Sequence, residues 1–243
     1  MACIDNRASP IDLLAATAAG WGLALNRTQL DQFATYATEL RRWNARVNLT
    51  AITDESSIVT RHFLDSLRCA LSWGSAPQSL IDVGSGAGFP GLPLKILRPE
   101  LQLTLVESVA KKAAFLRHIV ALLGLGDVVV LAARAEAVGR DEAHRARYDV
   151  AVARAVAELR VLAEYCLPFC RLGGRFLAPK GAGIERELLA AQAAISKLGG
   201  RIVAVEVVEL PGVERRSLVV IEKIAPTPAQ YPRAVGVPAK RPL

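Results

Sequence analysis

The stretch that most constrains this chain runs from Leu80 to Gly91, with the sequence LIDVGSGAGFPG. Its first four residues, LIDV, are typical of a short buried strand. Gly84, Gly86 and Gly88 follow at alternate positions, and a segment with helical spacing begins after them. Glycines crowd such a strand-to-helix turn where the backbone takes positive φ, or where a ligand comes closer than a Cβ allows. The stretch therefore predicts a nucleotide-type cofactor site at this turn.

Two cofactors fit a turn of this kind. The dinucleotide fingerprint G-x-G-x-x-G fails from Gly84 but fits from Gly86, with Glu107 about 20 residues further on. Asp82 precedes the first glycine by two residues, and its negative charge there is unfavourable beside a pyrophosphate. The same charge suits S-adenosylmethionine, which carries an amino group and a sulfonium and has no phosphate. The acid-x-Gly-x-Gly-x-Gly string thus favours a methyl donor over NAD.

Beyond the turn, strand patterns alternate with helical patterns, which is typical of a parallel sheet with crossover helices. The predicted strands are 80–83, 101–106, 128–131, 149–153 and 173–178, and the predicted helices are 111–123, 159–171 and 185–198. Two further β-rich runs, 202–208 and 217–222, are predicted to form an antiparallel edge. The fold class is therefore α/β, with a mostly parallel, seven-stranded, Rossmann-like sheet.

Three parts of the chain are predicted from these patterns. Residues 1–77 form an N-terminal helical extension, 78–224 the sheet domain, and 225–243 a loosely ordered basic C-terminal tail. Within the extension, Asn26 or Thr28 caps a helix over 29–43, and a further helix covers 53–70. The segment RRWNARVNLTAI is unusual for a helix interior and is predicted to be a connection between them.

Composition limits the possible classes of protein. The chain has 243 residues, of which 52% are hydrophobic, and this excludes a disordered chain. No segment approaches the roughly 20 apolar residues of a membrane span, and no signal-peptide pattern is present, so a cytoplasmic protein is expected. Cys3, Cys69, Cys166 and Cys170 lack zinc-ligand spacing, which favours buried free thiols and no metal site. The net charge of +7 is compatible with a phosphate-bearing substrate.

Polar residues follow the predicted parallel strands at the edge where ligands of such sheets bind. We expect Glu107 to bind both ribose hydroxyls of the cofactor. Ala135 and Glu136 are expected to border the adenine, where a backbone N–H and a short side chain admit a flat ring. The residues at or after the strand ends are Asp82, Glu107, Arg134, Glu136, Arg154 and Lys180.

Several motifs, in this order along the chain, together resemble the bacterial small-subunit ribosomal RNA methyltransferase G family, formerly glucose-inhibited division protein B. They are RWNARVNLTAITDESSIVTRHFLDSL, IDVGSGAGFPGLPLKILRPELQLTLVES with KKAAFLR, and the ARAE, VARAVA and PKG segments. The resemblance covers about residues 30–222. It departs from the family at the long connection GRDEAHRARYD and in the C-terminal tail, which has no clear counterpart.

This resemblance implies a class I S-adenosylmethionine-dependent methyltransferase fold and methylation of guanine N7 in 16S ribosomal RNA. It implies family cofactor contacts at Gly84, Phe89, Ala135, Glu136 and Arg154. The full predicted cofactor set is Asp82, Gly84, Gly86, Gly88, Phe89, Glu107, Ala135, Glu136 and Arg154. The expected partner is 16S ribosomal RNA or the small ribosomal subunit, and we expect a monomer that uses no metal and no membrane.

Three cations are the predicted catalytic residues, and their expected role is to bind and orient the substrate. Guanine N7 carries a free lone pair and no proton, so alignment matters more than a general base. Arg134 or Arg154 is predicted to donate to guanine O6 or a neighbouring phosphate, leaving N7 open, and Lys180 is predicted to contact phosphate. His62 is expected to be a packing residue. Trp43, with its neighbouring arginines, is either an RNA-stacking residue or buried against the sheet domain.

Three alternatives remain open at this point. An NAD-dependent oxidoreductase would use the shifted glycine match, although no His or Tyr falls at a strand end to transfer a proton. A non-enzymatic RNA-binding module would keep the cations and bind no cofactor. A small-molecule methyltransferase is disfavoured by the surplus of basic residues.

Overall fold

The computed structural model describes residues 9–73 and 77–243 of the chain. Its helices are α1 (Pro10–Gly20), α2 (Arg27–Val47), α3 (Glu55–Ile58), a π-helical turn (Val59–Leu64), α4 (Asp65–Leu67), a 3-10 turn (Arg68–Leu71), α5 (Gly91–Leu97), α6 (Ala110–Leu122), α7 (Ala135–Val138), α8 (Leu159–Cys166), α9 (Glu185–Lys197) and α10 (Val237–Lys240). Its strands are β1 (Ser79–Val83), β2 (Gln102–Val106), β3 (Val128–Leu131), β4 (Tyr148–Val152), β5 (Cys170–Lys180), β6 (Gly200–Leu210) and β7 (Val213–Lys223).

The seven strands form one sheet in the order β3-β2-β1-β4-β5-β7-β6. Strands β1 to β5 pair in parallel, whereas β7 pairs antiparallel with both β5 and β6. The predicted parallel sheet with an antiparallel edge is confirmed. The strand order reverses between β1 and β4, and ligands of open α/β sheets bind in the crevice beyond the strand ends at such a point.

Helices cover both faces of the sheet. On one face, the N-terminal helices contribute Phe33 and Phe63 to the same apolar core as Leu92 of α5 and Leu105 of β2. The other face is covered by the helices that follow β3, β4 and β5, with Leu162 of α8 in its core. The described N-terminal residues therefore share a core with the sheet, and this brings their side chains to the glycine turn.

Helix α2 is longer than predicted. It begins after an N-cap at Asn26, as expected, and runs through Trp43 to Val47 before Asn48 takes a left-handed φ of 51°. The predicted connection over residues 41–52 is therefore wrong in its first half. The arginines of this stretch lie on the more exposed face of α2 while Leu40 faces the core, which is a helical and not a connecting arrangement.

Helix α8 is shorter than predicted. The expected helix over 159–171 ends at Cys166, and β5 already begins at Cys170. Pro168 lies between them, and proline has no N–H to continue a helix. The apolar run therefore changes from helix to strand without a polar break, and hydrophobicity alone does not mark the change.

The C-terminal tail is packed, in contrast to the prediction of loose order. Tyr231 is buried, and Arg233 forms an ion pair of 2.6 Å with Glu164, whose side chain is 1% exposed. These contacts join residues 69 positions apart, so the local composition of the tail does not reveal them. In the part of the chain that the structure describes, no helix has the length and apolar character needed to cross a membrane.

Candidate active site

The glycine turn after β1 takes the conformation that its sequence predicts. Gly84, Gly86 and Gly88 have φ values of 72°, 58° and 96°, which disfavour any residue with a Cβ. Their surroundings differ, however. A Cβ on Gly88 would overlap Leu92 and lie 2.6 Å from Tyr36 Oη, whereas a Cβ on Gly86 would meet its nearest atom at 3.9 Å. Gly88 is therefore required for packing, and Gly86 leaves open space.

Two adjoining cavities lie beyond the carboxyl ends of the parallel strands. The tail-side cavity, of about 240 Å³, is lined by Arg134, Ala135, Glu136, Tyr165 and Ala239 among others. The turn-side cavity, of about 360 Å³, is lined by Thr50, His62, Gly86, Phe89, Glu107 and Arg154 among others. Gly84, Ser108 and Val156 line both. The glycine turn thus separates two spaces that together follow the tips of β1 to β4.

Glu107 joins the tip of β2 to the glycine turn. Its side chain lines the turn-side cavity, and its residue is 6% exposed. One carboxylate oxygen accepts from the Gly86 N–H at 2.9 Å, and the other accepts from the Val109 N–H at 2.7 Å. Each oxygen retains further acceptor capacity. The arrangement fits the predicted role of binding ribose hydroxyls.

Asp82 lies beneath the turn and lines neither cavity. It is fully buried, and its Oδ2 accepts from the Gly91 N–H at 2.8 Å. Its Oδ1 finds no hydrogen-bond partner among the described residues. Burial raises the pKa of this carboxyl to about 7. The structure therefore differs from the prediction of direct cofactor contact, because the Asp82 carboxyl is hydrogen-bonded to the first residue of α5 and does not reach a cavity.

Phe89 is stacked between two rings from the N-terminal helices. Its ring centroid lies 4.4 Å from that of His62 and 5.3 Å from that of Tyr36, with interplanar angles of 19° and 16°. Tyr36 also donates a hydrogen bond from its hydroxyl to the carbonyl of Ala87. The N-terminal helices therefore form a wall of the turn-side cavity, in addition to covering the sheet.

Arg154, after β4, fixes that wall. Its Nη1 donates to Asp65 Oδ2 at 2.8 Å and to the Arg61 carbonyl at 2.9 Å, and its Nη2 donates to His62 Nδ1 at 3.0 Å. Its guanidinium carbon lies 5.1 Å from the Phe89 ring centroid. Asp65 is 3% exposed and also pairs with Arg216 at 2.9 Å. Arg154 lines the turn-side cavity, although three of its five donor hydrogens already have partners.

His62 is neutral in this arrangement. Burial, and then the charge of Arg154, lower the pKa of its imidazole to about 3. Because Nδ1 accepts from Arg154, the proton lies on Nε2, which is 2.9 Å from Thr50 Oγ1. His62 is buried, as expected of a packing residue. Its place on the cavity wall was missed, because a lone histidine on an apolar helix face carries no sign of it.

The predicted adenine-side residues lie together at the tail-side cavity. Arg134 is exposed there and precedes α7 as its N-cap, and Ala135 is the first residue of that helix. Glu136 is 2% exposed, and its Oε1 accepts from the Gly236 N–H of the C-terminal tail at 2.8 Å. The backbone at 135–136 therefore borders the cavity, while the Glu136 carboxylate is bound to the tail.

Lys180 does not lie where the prediction requires. Its Nζ pairs with Glu187 Oε1 at 2.6 Å and donates to the Ala157 carbonyl at 2.8 Å. Its side chain is 11% exposed and lines neither cavity. The predicted phosphate contact is therefore not supported, because an acid from α9 already neutralises this ammonium.

Trp43 has features of both predicted environments, because one part of its side chain packs against the sheet domain and another part reaches the surface. It is half-buried, with ring centroids 5.6 Å from Phe115 and 5.0 Å from His118. Its outer edge lines a surface depression with Arg42 and Arg46. Packing against the sheet domain is thus present, and the neighbouring arginines remain largely on the surface.

The cysteines behave as expected where they are described. Cys69, Cys166 and Cys170 are buried free thiols, and Cys3 lies outside the described residues. Burial raises the pKa of each of the three thiols. Within residues 9–73 and 77–243, no group of three or more His, Cys, Asp or Glu side chains is arranged to hold a metal ion.

Solved structures of methyltransferases share this fold. M. jannaschii TYW2 in complex with AdoMet is 18% identical, with a TM-score of 0.53 over 67% of this chain and 76% of that one. A variant of the 16S rRNA (adenine(1408)-N(1))-methyltransferase from Catenulisporales acidiphilia is 15% identical, with a TM-score of 0.52 over 68% of this chain and 92% of that one. At these identities the likeness shows the class I methyltransferase fold alone.

Sequence comparisons identify the family. The ribosomal RNA small subunit methyltransferase G of Roseiflexus castenholzii is 68% identical, over 96% of this chain and 100% of its own length. The protein of the same name from Chloroflexus aggregans is 57% identical, over 95% of this chain and 97% of its own length. The family model described as rRNA small subunit methyltransferase G matches residues 29–219. This chain belongs to the rRNA small subunit methyltransferase G family.

Proposed function

We propose that this protein transfers the methyl group of S-adenosylmethionine to N7 of a guanine in 16S ribosomal RNA. Family membership supports an S-adenosylmethionine-dependent rRNA methyltransferase and disfavours the oxidoreductase, small-molecule and non-enzymatic alternatives. The observation that carries the proposal is the pair of adjoining cavities that meet at the Gly84–Gly86 turn, beside the Glu107 carboxylate. They lie at the reversal of strand order, where this fold binds its ligands.

The residues present fit the cofactor. A Cβ on Gly86 would project into open space of the turn-side cavity, so a ligand can approach the backbone there. Glu107 would hold the ribose hydroxyls, and the backbone at 135–136 would border the adenine. Phe89 and Arg154 line the cavity at the opposite side of the turn from Ala135. When bound, S-adenosylmethionine supplies an electrophilic methyl group on a sulfonium, and the electrons of the broken C–S bond stay on sulfur.

The reaction requires no general base from the protein. Guanine N7 forms its new bond with an in-plane lone pair, the positive charge passes to the guanine, and no proton leaves. His62 fits this chemistry because it is neutral, a very weak base, and already hydrogen-bonded at both nitrogens. What the chain contributes is alignment, and holding reacting atoms about 3–3.5 Å apart can supply roughly 7–11 kcal/mol of the barrier.

Arg134 or Arg154 is assigned the contact with guanine O6 or a neighbouring phosphate: Arg154 lines the turn-side cavity, where the methyl group would lie, and Arg134 lies on the adenine side, where a phosphate is the partner that fits. The two Nη1 donors of Arg154 are used by Asp65 and the Arg61 carbonyl, so Nε and the second Nη2 hydrogen remain for a guanine O6 or a phosphate. Arg134 is exposed at the tail-side cavity and forms no ion pair with another described residue. Neither contact uses N7, which stays open to the methyl group.

A basic depression beside the turn-side cavity supports RNA as the substrate. It has a volume of about 280 Å³ and is lined by Arg61, Arg215 and Arg216, by Glu214, and by glycine backbone at 181 and 212. Arg216 is paired with the buried Asp65, and Arg215 with the exposed Glu209, so Arg61 and the solvent-screened Arg215 are the side chains open to phosphate. Arg61 directly precedes His62, which lines the turn-side cavity, and we place the approach of the nucleotide chain over this depression. Arginines of this kind suit phosphate contacts. A monomer is the proposed state, and a ribosomal substrate implies a cytoplasmic location.

Mapping of methylguanosine in 16S ribosomal RNA tests the proposal. Small subunits from a host lacking the gene would be incubated with the purified protein and S-adenosylmethionine, in parallel with naked 16S ribosomal RNA. We expect one N7-methylguanosine to appear in at least one of the two substrates, at the position that loses methylation in the deletion host. Methylation at another atom, or no change on deletion, would refute the proposed reaction.

A further inference from the structure

Arginines of the β3–β4 region fasten the C-terminal tail to the sheet domain. Arg145 donates from its guanidinium to the carbonyls of Thr227 and Tyr231 at 2.8 and 2.7 Å. Arg140 Nε donates to the Pro232 carbonyl at 2.8 Å. Both arginines belong to the connection between α7 and β4. The path of the tail is therefore fixed before it reaches the tail-side cavity.

The next contact between the tail and the sheet domain is the ion pair of Arg233 with Glu164 of α8. Arg233 Nη2 lies 2.6 Å from Glu164 Oε2, and Arg233 Nε lies 2.9 Å from Oε1. The Arg233 N–H also donates to Oε1 at 2.7 Å. A bidentate pair with a carboxylate that is 1% exposed gives a defined geometry and not a loose surface contact. This pair sets the position of the residues that follow.

From Arg233 the tail reaches the cavity itself. The Gly236 N–H donates to Glu136 Oε1 at 2.8 Å, and Gly236 takes a left-handed φ of 80° that suits glycine. Helix α10 begins at the next residue, and its Ala239 lines the tail-side cavity together with Ala135 and Tyr165. The methyl side chain of Ala239 leaves that cavity open.

We infer that the C-terminal tail forms one wall of the site for the adenosine half of the cofactor, and that Ala239 limits the size of that site. Glu136 is a positioning residue here, because its carboxylate holds Gly236 while the backbone at 135–136 remains for the adenine. The inference rests on the proposed function, since it takes the tail-side cavity as the adenine side. It goes beyond the family model, which matches residues 29–219 and so excludes the tail.

Filling the cavity from the tail tests this inference. Ala239→Trp adds an indole to the wall, and Ala239→Leu adds a smaller group to the same place. Ala229→Trp is the matched control, because Ala229 is an exposed alanine of the same tail that lines neither cavity. Calorimetric titration would measure the affinity of the full chain for S-adenosylhomocysteine and for 5′-methylthioadenosine, which keeps the adenosine and lacks the amino acid.

We expect Ala239→Trp to weaken binding of both ligands by at least about tenfold, Ala239→Leu to weaken it less, and Ala229→Trp to leave it unchanged. The melting temperature without ligand should stay within about 2 °C of wild type for all three. Wild-type affinity in Ala239→Trp, or a loss confined to S-adenosylhomocysteine, would overturn the inference while the proposed function stands. Failure of the wild-type protein to bind either ligand would overturn both.

Discussion

The Glu107 carboxylate accepts a hydrogen bond from the backbone N–H of Gly86 at 2.9 Å, so the tip of β2 and the glycine turn after β1 form one unit. The side chain that would bind the ribose is therefore also the one that positions the turn. The two carboxylate oxygens of Glu107 would bind the ribose, and they also accept the hydrogen bonds that position the local backbone. An acid on the surface would have no such structural role.

Replacing Glu107 with glutamine should weaken cofactor binding and lower the free energy of unfolding by about 1–3 kcal/mol, because the amide NH2 cannot accept from the N–H of Gly86 or Val109 as a carboxylate oxygen does. Hydrogen bonds to a charged group contribute about 1.5–3 kcal/mol each, so S-adenosylhomocysteine should bind roughly 10- to 100-fold more weakly. Isothermal titration measures this. Glu100→Gln, at an exposed acid after α5, is the matched control and should bind as wild type does. Equal affinities for Glu107→Gln and wild type would remove Glu107 from the site.

Two glycines of the turn should respond differently to alanine. Gly88→Ala places a Cβ against Leu92 and Tyr36 in addition to straining φ, so it should lower the free energy of unfolding by about 2–4 kcal/mol. Gly86→Ala meets open space, so it should cost about 1–2 kcal/mol from φ strain and mainly weaken cofactor binding. Urea unfolding and ligand titration separate the two effects. The same stability loss in both variants would contradict the packing role of Gly88.

Asp82→Asn should change the pH dependence of stability. Burial raises the pKa of Asp82 from 3.8 to about 7, so between these values the folded state holds a proton that the unfolded state has lost. Wild-type stability from this group is therefore present at low pH and is lost as the pH rises towards 7. Asparagine cannot titrate, so Asp82→Asn should gain about 2–3 kcal/mol relative to wild type between pH 5 and pH 8. Urea unfolding at the two pH values measures it, and an unchanged difference would show that Asp82 is already ionised at pH 5.

Arg134→Ala and Arg154→Ala should both reduce methylation of ribosomal RNA. Arg134 is exposed, so its loss should leave the melting temperature unchanged and lower the rate by about tenfold. Arg154→Ala leaves the buried Asp65 paired with Arg216 alone, so it should also destabilise the protein by about 1.5–3 kcal/mol. Rates are compared per folded molecule, with circular dichroism as the control. Wild-type rates in both variants would show that neither arginine binds the substrate.

The sheet was predictable because its strands carry their own local patterns. Apolar runs bounded by glycines and polar residues gave β1 to β4 within about two residues of their observed ends, and the strand tips then placed Glu107, Ala135 and Arg154 at one edge. The glycine pattern of the same turn also predicted that Gly84 and Gly86 have positive φ and lie at the site. These residues belong to short segments whose backbone direction determines where the side chain lies.

The remaining contacts depend on partners far away in the chain. Lys180 lies at a strand end as predicted, yet its ammonium is paired with Glu187. Asp82 accepts from the Gly91 N–H and lines neither cavity. The composition of the tail predicts loose order because it does not reveal the partner of Arg233, Glu164, which lies 69 residues earlier in the chain. Which of several polar groups meets a given charge is decided by tertiary packing, and neither spacing nor composition determines it.

A crystal structure of the protein with bound S-adenosylhomocysteine tests the central claim most directly. We expect the ribose hydroxyls within hydrogen-bond distance of Glu107, the adenine against the backbone at 135–136, and the sulfur facing the turn-side cavity beside Phe89. A ligand found away from the glycine turn, or a protein that binds none at millimolar concentration, would contradict it.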